Sequence, residues 1–389
     1  MDAGREPIRL TCIALSSPQA GSRRRFALRT VAVGTIKGLF ILEQEASDPA
    51  TAEWDLRGPY LSGWESTTVA MEEREGRLEL LAGLGSFVYG PHVRRSLDGG
   101  RSWEPLGSGP GFRPGEDRPT VERIWTLHRR AGSGELLAGV AQAGLFRWDE
   151  EKGVWREYES VSEHPTRAGW LPGFGGLCLH TVLSNERRPG RITVGISSVG
   201  TLRSDDDGAN WSIKNQGVSA AIEAEEPKYS ELNRCVHRLV QDPADPDRLY
   251  QQNHTGVYRS LDAGDHWDRI ETGLPSRFGF GMTVLDRSPS TLFVVPLVSD
   301  EVRIPVDGEL RVYRSTDHGD SWQPCGNGLP EENYGAVLRD ALTSESGSAS
   351  AVYFGTTSGE LYGSWDAGDT WRRLPGVFPR ILSVHAIAA

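Results

Sequence analysis

The chain has little of what marks several common classes of protein. Its 389 residues hold four cysteines, Cys12, Cys178, Cys235 and Cys325, none in a Cys-x-x-Cys spacing. That fits free thiols in a reducing compartment better than a disulfide framework or a zinc site. No run approaches the roughly 18 apolar residues of a membrane span, so no membrane partner is expected. Basic residues are outnumbered, 42 Lys and Arg against 53 Asp and Glu, for a formal net charge of −11. Without a basic stripe, nucleic acid is not an expected partner. A long helical repeat of apolar residues is also missing, which leaves β structure as the organising element.

What the chain does have is 46 Gly and 23 Pro, dispersed rather than clustered, as in an all-β chain of many turns. It also writes one nine-residue stretch five times: Arg259 to Trp267, with copies at Arg95 to Trp103, Arg203 to Trp211, Arg314 to Trp322 and Gly363 to Trp371. All fit Ser-x-Asp-x-Gly-x-x-Trp, and such recurrence is the mark of a repeat architecture. The motif suits a tight β-hairpin. Ser and Asp can bond backbone N–H groups within the turn, Gly supplies a positive φ, and Trp opens the return strand with a large apolar face.

These copies resemble the BNR or Asp-box repeats of sialidase-like and other β-propeller proteins. The resemblance implies radial four-stranded blades, with each box a structural turn between the outer two strands on the face opposite the ligand site. At whole-chain level the sequence is similar to single-domain bacterial Asp-box propellers labelled glycosyl hydrolase-like, in phrases such as Gly34 to Phe40, Leu249 to His254 and Tyr353 to Glu360.

The tryptophans give the blade count. Trp155 closes a degenerate box, and Trp54 follows a strand pair with no box. From Trp54 the series runs through Trp103, Trp155, Trp211, Trp267, Trp322 and Trp371, which predicts a seven-bladed β-propeller. The last strand-like run, Ile381 to Ile387, has no blade of its own. The expectation is that it joins blade one as its innermost strand and closes the ring. Residues 27–389 are then one domain and residues 1–26 a flexible extension. Ser22 to Leu28 resembles a twin-arginine export signal, but Thr30 to Leu42 is needed for two strands of blade one, so a cytoplasmic protein is expected.

The long irregular loops, Gly107 to Pro119, Ser160 to Gly176, Gly217 to Asn233 and Leu297 to Glu309, are expected on the face away from the boxes, around a binding mouth. Aligning the units on their box serines puts Thr68, Trp125, His180, His237, Phe280 or a neighbour, Arg339 and His385 at one level of the innermost strands, with one or two residues of slippage in blades two, six and seven. Trp64, Glu65, Glu122, Arg123, Trp170, Tyr229, Glu231, Asn253 and His254 reach the same mouth from loops. Carboxylates, arginines and aromatic rings round one cavity suit a small polar ligand, glycan-derived for example. Glu65, Glu122 and Glu231 are the acid or base candidates, for hydrolase- or lyase-like chemistry, and the remaining residues are contacts.

The sialidase motif set is not present. Sialidases carry Arg-Ile-Pro before the first box, whereas Arg303-Ile304-Pro305 falls in the blade-six insertion, so no sialidase role passes to Arg303. Two further readings stand beside the leading one: a non-catalytic scaffold that holds another protein, and an enzyme with a divalent metal on His180 and His237. Otherwise no cofactor is expected, and nothing in the sequence sets an oligomeric state.

Overall fold

The computed structural model describes residues 28–45, 52–86, 88–115, 118–221 and 229–388; the expected 1–26 extension and Cys12 lie outside them. Among the described residues are 28 strands, one four-residue helix (Glu159–Ser162) and two 3₁₀ turns, Arg167–Gly169 and Val306–Gly308. No helix there is long and apolar enough to cross a membrane. The strands form five four-stranded sheets and one of eight. The eight-stranded sheet is two four-strand meanders, met where Val337–Ser344 lies parallel to Ile381–Ala388 at Asp340↔Ser383. Ile381–Ala388 in turn pairs antiparallel with Leu28–Thr35, the next strand of its own meander.

Second strands such as Leu136–Val140, Leu249–Asn253 and Val352–Thr356 are buried at every position, because adjoining sheets cover both of their faces. Fourth strands are two exposed residues long in several sheets, Glu104–Pro105, Asp268–Arg269, Gln323–Pro324 and Arg372–Arg373. Short, charged or proline-bearing outer strands blunt the edges against pairing with other chains. The first strands touch one another in succession: Ile381–Ala388 against Glu65–Arg74, then Ile124–Arg129, Leu179–Ser184, Val236–Gln241, Phe278–Leu285 and Val337–Ser344, which meets Ile381–Ala388 again. This approach needs small residues on the second strands. A Cβ on Gly139 would stand 2.5 Å from the Leu179 carbonyl oxygen of the adjoining sheet.

Each first strand carries an irregularity at the same level. Pairing skips Thr67, Trp125, His180 and His237 in four of them. It skips residues 280–281 and 338–341 in two more, and Leu382 in the last. A bulge bends the strand and re-aims the extra side chain. The sequence alignment found this level to within the expected slippage in most sheets, Thr67 standing one residue from Thr68, but missed it in one: the bulged residue is Leu382 rather than His385, which is paired opposite Ala32.

The five repeated stretches close the turns between third and fourth strands. In the copy ending at Trp322, Asp317 accepts hydrogen bonds from Ser315 Oγ (2.7 Å), Ser321 N (3.0 Å) and Ser321 Oγ (2.6 Å), while Gly319 N donates to Ser315 Oγ (2.8 Å). Burial pushes the Asp317 carboxyl up, yet these bonds outweigh burial and hold it at about 2. Since that lies below the unfolded value near about 3.9, its contribution to stability is full above that value and is lost as pH falls toward about 2. Urea unfolding of Asp317→Asn is therefore expected at a lower midpoint near neutrality, with a shallower loss than wild type as the pH falls from about 4 to about 2. Parallel pH profiles would refute this role.

Candidate functional site

The starts of the first strands and the turns joining second to third strands face one cavity of about 760 Å³. In an antiparallel meander the third-to-fourth turn falls at the opposite end, so the tryptophan-bearing turns lie away from the cavity. The bulges supply much of its wall: Thr67, Trp125, His237, Phe280, Arg339 and Leu382 all line it.

Arg339 is the centre of the wall. Its guanidinium lies over the rings of Trp125, at 5.3 Å, and Phe280, at 5.4 Å, and its Nε is buried without a hydrogen-bond partner. Arg123 covers the same indole at 5.4 Å and donates to Glu65 Oε2 at 2.8 Å. Arg303 lies 5.3 Å over Phe280. Arg303, Arg339 and Arg380 all line the cavity and form no ion pair among the described residues. Asp340 is paired with Arg238, and burial raises its carboxyl above the usual range against the pull of Arg238 and Arg339.

His237 sits against Phe280 (4.6 Å) and Phe278 (5.2 Å), and its Nδ1–H donates to the Gly279 carbonyl at 2.6 Å. Burial, then the Arg339 charge, holds the ring well below the ordinary imidazole range, so it is neutral. His254 meets it edge-on at 5.6 Å, with Nε2 3.6 Å from Asp300 Oδ2.

Glu65, Arg123, Trp125, His237, His254 and Arg339 thus share the cavity, as expected of them; the other expected residues are placed elsewhere. Trp64 stacks on Tyr89 at 5.7 Å outside the wall. Glu122 is exposed and accepts from Gln142 Nε2 at 2.9 Å. Trp170 is a core residue whose indole donates to Thr166 Oγ1 at 2.9 Å, and Tyr229 packs on that core with its hydroxyl donating to the Pro165 carbonyl at 3.3 Å. Large rings in a long loop fold back onto the sheet because burial stabilises them there.

Glu231 is exposed beside a separate shallow depression. Asn253 is buried and accepts from Thr255 N at 3.1 Å, closing its hairpin. Both ring nitrogens of His180 have partners, Thr181 Oγ1 at 3.0 Å and the Val236 carbonyl at 2.9 Å. His180 is therefore not poised to join His237 on a metal, and neither Glu122 nor Glu231 stands opposite Glu65 across the cavity.

Sequence reasoning missed Phe174, Cys235, Asp300, Arg303 and Asp340, all on the wall. Cys235 had a signal, standing two residues before His237 at the entry to the same strand. Asp340 had none, since its bulge takes up four residues.

No family model matches the chain. It is 29% identical over 258 residues, 58% of its length, to a xyloglucanase from Paenibacillus sp. The match covers 24% of that enzyme, so the chain spans about a quarter of the length of this curated relative. Among solved structures it is similar to YCF48 bound to D1 peptide, with a TM-score of 0.51, 16% identity, and 82% of this chain and 89% of that one covered. A putative 6-phosphogluconolactonase from Bacteroides fragilis gives a TM-score of 0.53 at 10% identity, covering 94% and 99%. These likenesses show the fold: the chain is a β-propeller.

Proposed function

We propose that this propeller is glycosyl hydrolase-like and takes a small acidic carbohydrate, a sugar bearing a carboxylate, in its cavity. The observation that carries the reading is Arg339, a cation fixed between two rings with a buried, unpartnered Nε. A buried polar group without a partner is costly, and a carboxylate is the natural complement of a guanidinium. Arg303 and Arg380 add positive charge to the same wall. Phe174, 90% exposed at the rim, offers a free ring face for the apolar side of a sugar. The xyloglucanase likeness supports carbohydrate as the carrier of the charge.

Two wall carboxyls are suited to acid–base work on such a ligand: Asp340, whose proton affinity burial raises, and Glu65, oriented by Arg123. Seven blades, closed through Ile381–Ala388 and turned by Asp-boxes, are the architecture we infer. The succession of first-strand contacts and the pairing of Ile381–Ala388 with Leu28–Thr35 support it. The free thiols of Cys178, Cys235 and Cys325 support a cytoplasmic location.

Calorimetric titration tests the reading with a galacturonic acid trisaccharide and a neutral xyloglucan heptasaccharide. The acidic sugar is expected to bind, and Arg339→Ala to weaken it by about 30-fold or more, as loss of a charged contact of about 2 kcal/mol or more requires. Equal binding of the neutral sugar, or an Arg339→Ala variant with unchanged affinity, would overturn it. The likeness to YCF48 bound to D1 peptide favours a second reading, a peptide-holding scaffold. Binding of carboxylate-ended peptides with no response to either sugar would select it.

A further inference from the structure

We propose that Cys235, His237 and His254 form a zinc site on the cavity wall, with one coordination position left open to the cavity. A donor atom from each residue lies within 4.8 Å of the other two. The chain brings them together through ordinary strand geometry. Cys235 and His237 stand two apart at the start of a first strand, and the backbone N–H of His254 donates to the Cys235 carbonyl at 2.9 Å, across the same hairpin. The register breaks at His237, and its ring meets that of His254 edge-on at 5.6 Å.

The surroundings fit a metal centre better than an incidental cluster. The Gly279 carbonyl takes the Nδ1–H of His237 at 2.6 Å, which leaves Nε2 with its lone pair free. Metal-bound imidazoles are oriented by such a backbone or carboxylate partner on the other nitrogen. His254 has the carboxylate counterpart, Asp300, 3.6 Å from its Nε2, so its Nδ1 is the nitrogen assigned to the metal. A thiolate with two imidazoles is a borderline-soft set suited to Zn²⁺, and three protein donors plus one open position is the arrangement of catalytic rather than structural zinc. Tetrahedral zinc with bonds of about 2.0 to 2.3 Å draws its donors to roughly 3.5 Å apart. Cys235 and His254 are half-buried and line the open cavity, so neither is closed in on every side. The thiolate and Asp300 offset the ion's charge against Arg303 and Arg339. The open position would accept water or a ligand oxygen.

The proposal stands apart from the carbohydrate reading, because its readout is the metal alone. Full-length protein purified without chelator is titrated with Zn²⁺, and in parallel with Co²⁺ followed by absorption. One ion per chain is expected, with a thiolate-to-Co²⁺ charge-transfer band. Cys235→Ser should lose the band and weaken Zn²⁺ by more than about a hundredfold. Asp300→Asn, which touches only a ligand, should weaken it by roughly ten- to a hundredfold. Cys178→Ser should keep both the band and the affinity. His254→Ala, at the cavity rim, carries the test should Cys235→Ser fail to fold. Absence of saturable Zn²⁺ binding, Co²⁺ uptake without the band, or a His254→Ala variant of unchanged affinity would overturn the assignment.

Discussion

Removal of residues 381–389 is expected to abolish cooperative thermal unfolding rather than trim a tail. The strand Ile381–Ala388 holds seven register partners on Leu28–Thr35, from Arg29↔Ala388 to Thr35↔Ile381. It also lies against the first strands of both flanking sheets. Ile381, Val384, Ala386 and Ile387 are buried. At about 1.5 to 3 kcal/mol for each larger side chain and about 1 kcal/mol for each ladder bond, the loss is on the order of 10 kcal/mol. A whole protein of this kind is stable by only about 5 to 15 kcal/mol. The deletion also bares Leu28–Thr35 as an open edge beside Val337–Ser344, an invitation to aggregate. Calorimetry of the truncated chain should show no sharp transition, while a circular permutant carrying the same strand ahead of residue 28 should restore it. A truncated protein melting within a few degrees of wild type would show that the strand does not tie the sheets together.

Much of this architecture was legible because it repeats. Four fixed residues per turn, written five times, specify the hairpin chemically, and the structure fills each with the expected Ser, Asp and Gly bonds. One feature of the turn has no sequence signal: the residue before each glycine is also left-handed, with φ of 60° at Asp207 and His318 and 58° at Ala367. Its identity varies, so no pattern announces it.

The cavity was legible where it rests on the repeated strand, as with Trp125, His237 and Arg339, and illegible where it rests on loops. Trp170 and Tyr229 are apolar enough to be drawn onto the core, and a loop sequence does not say whether a ring will be drawn inward or presented to a ligand. Phe174, four residues beyond Trp170, was presented instead. Arg303 lies in an insertion whose path across the mouth is set by contacts with the rest of the chain, such as Asn333 N donating to the Gly308 carbonyl at 2.9 Å. The general position of the mouth follows from the meander, whereas its polar detail depends on how three of the four long loops pack; the fourth, Gly107 to Pro119, supplies no wall residue, and its Phe112 packs on Phe146.

Trp371→Ala is expected to destabilise the protein by about 4 kcal/mol or more, the second-largest single effect. The side chain is 2% exposed, its ring edge meets Phe354 at 5.1 Å, and its Nε1–H donates to the Cys325 carbonyl of the preceding sheet at 2.7 Å. Truncating a buried tryptophan costs about 3 to 5 kcal/mol, and the orphaned carbonyl adds roughly 1 to 3 kcal/mol. Trp371→Phe keeps most of the buried area and loses only the bond, so its cost should fall in that lower range. Trp103 gives the contrast: half-buried, it turns its N–H to Gly100 O within its own turn at 2.9 Å, and Trp103→Ala should cost less than Trp371→Ala. Urea unfolding of the three variants separates a stitch between sheets from mere filling, and equal costs for Trp103→Ala and Trp371→Ala would reject the stitch. Because these turns lie at the end of each sheet away from the cavity, Trp371→Phe should bind Zn²⁺ and acidic sugar with wild-type affinity at temperatures where it is folded.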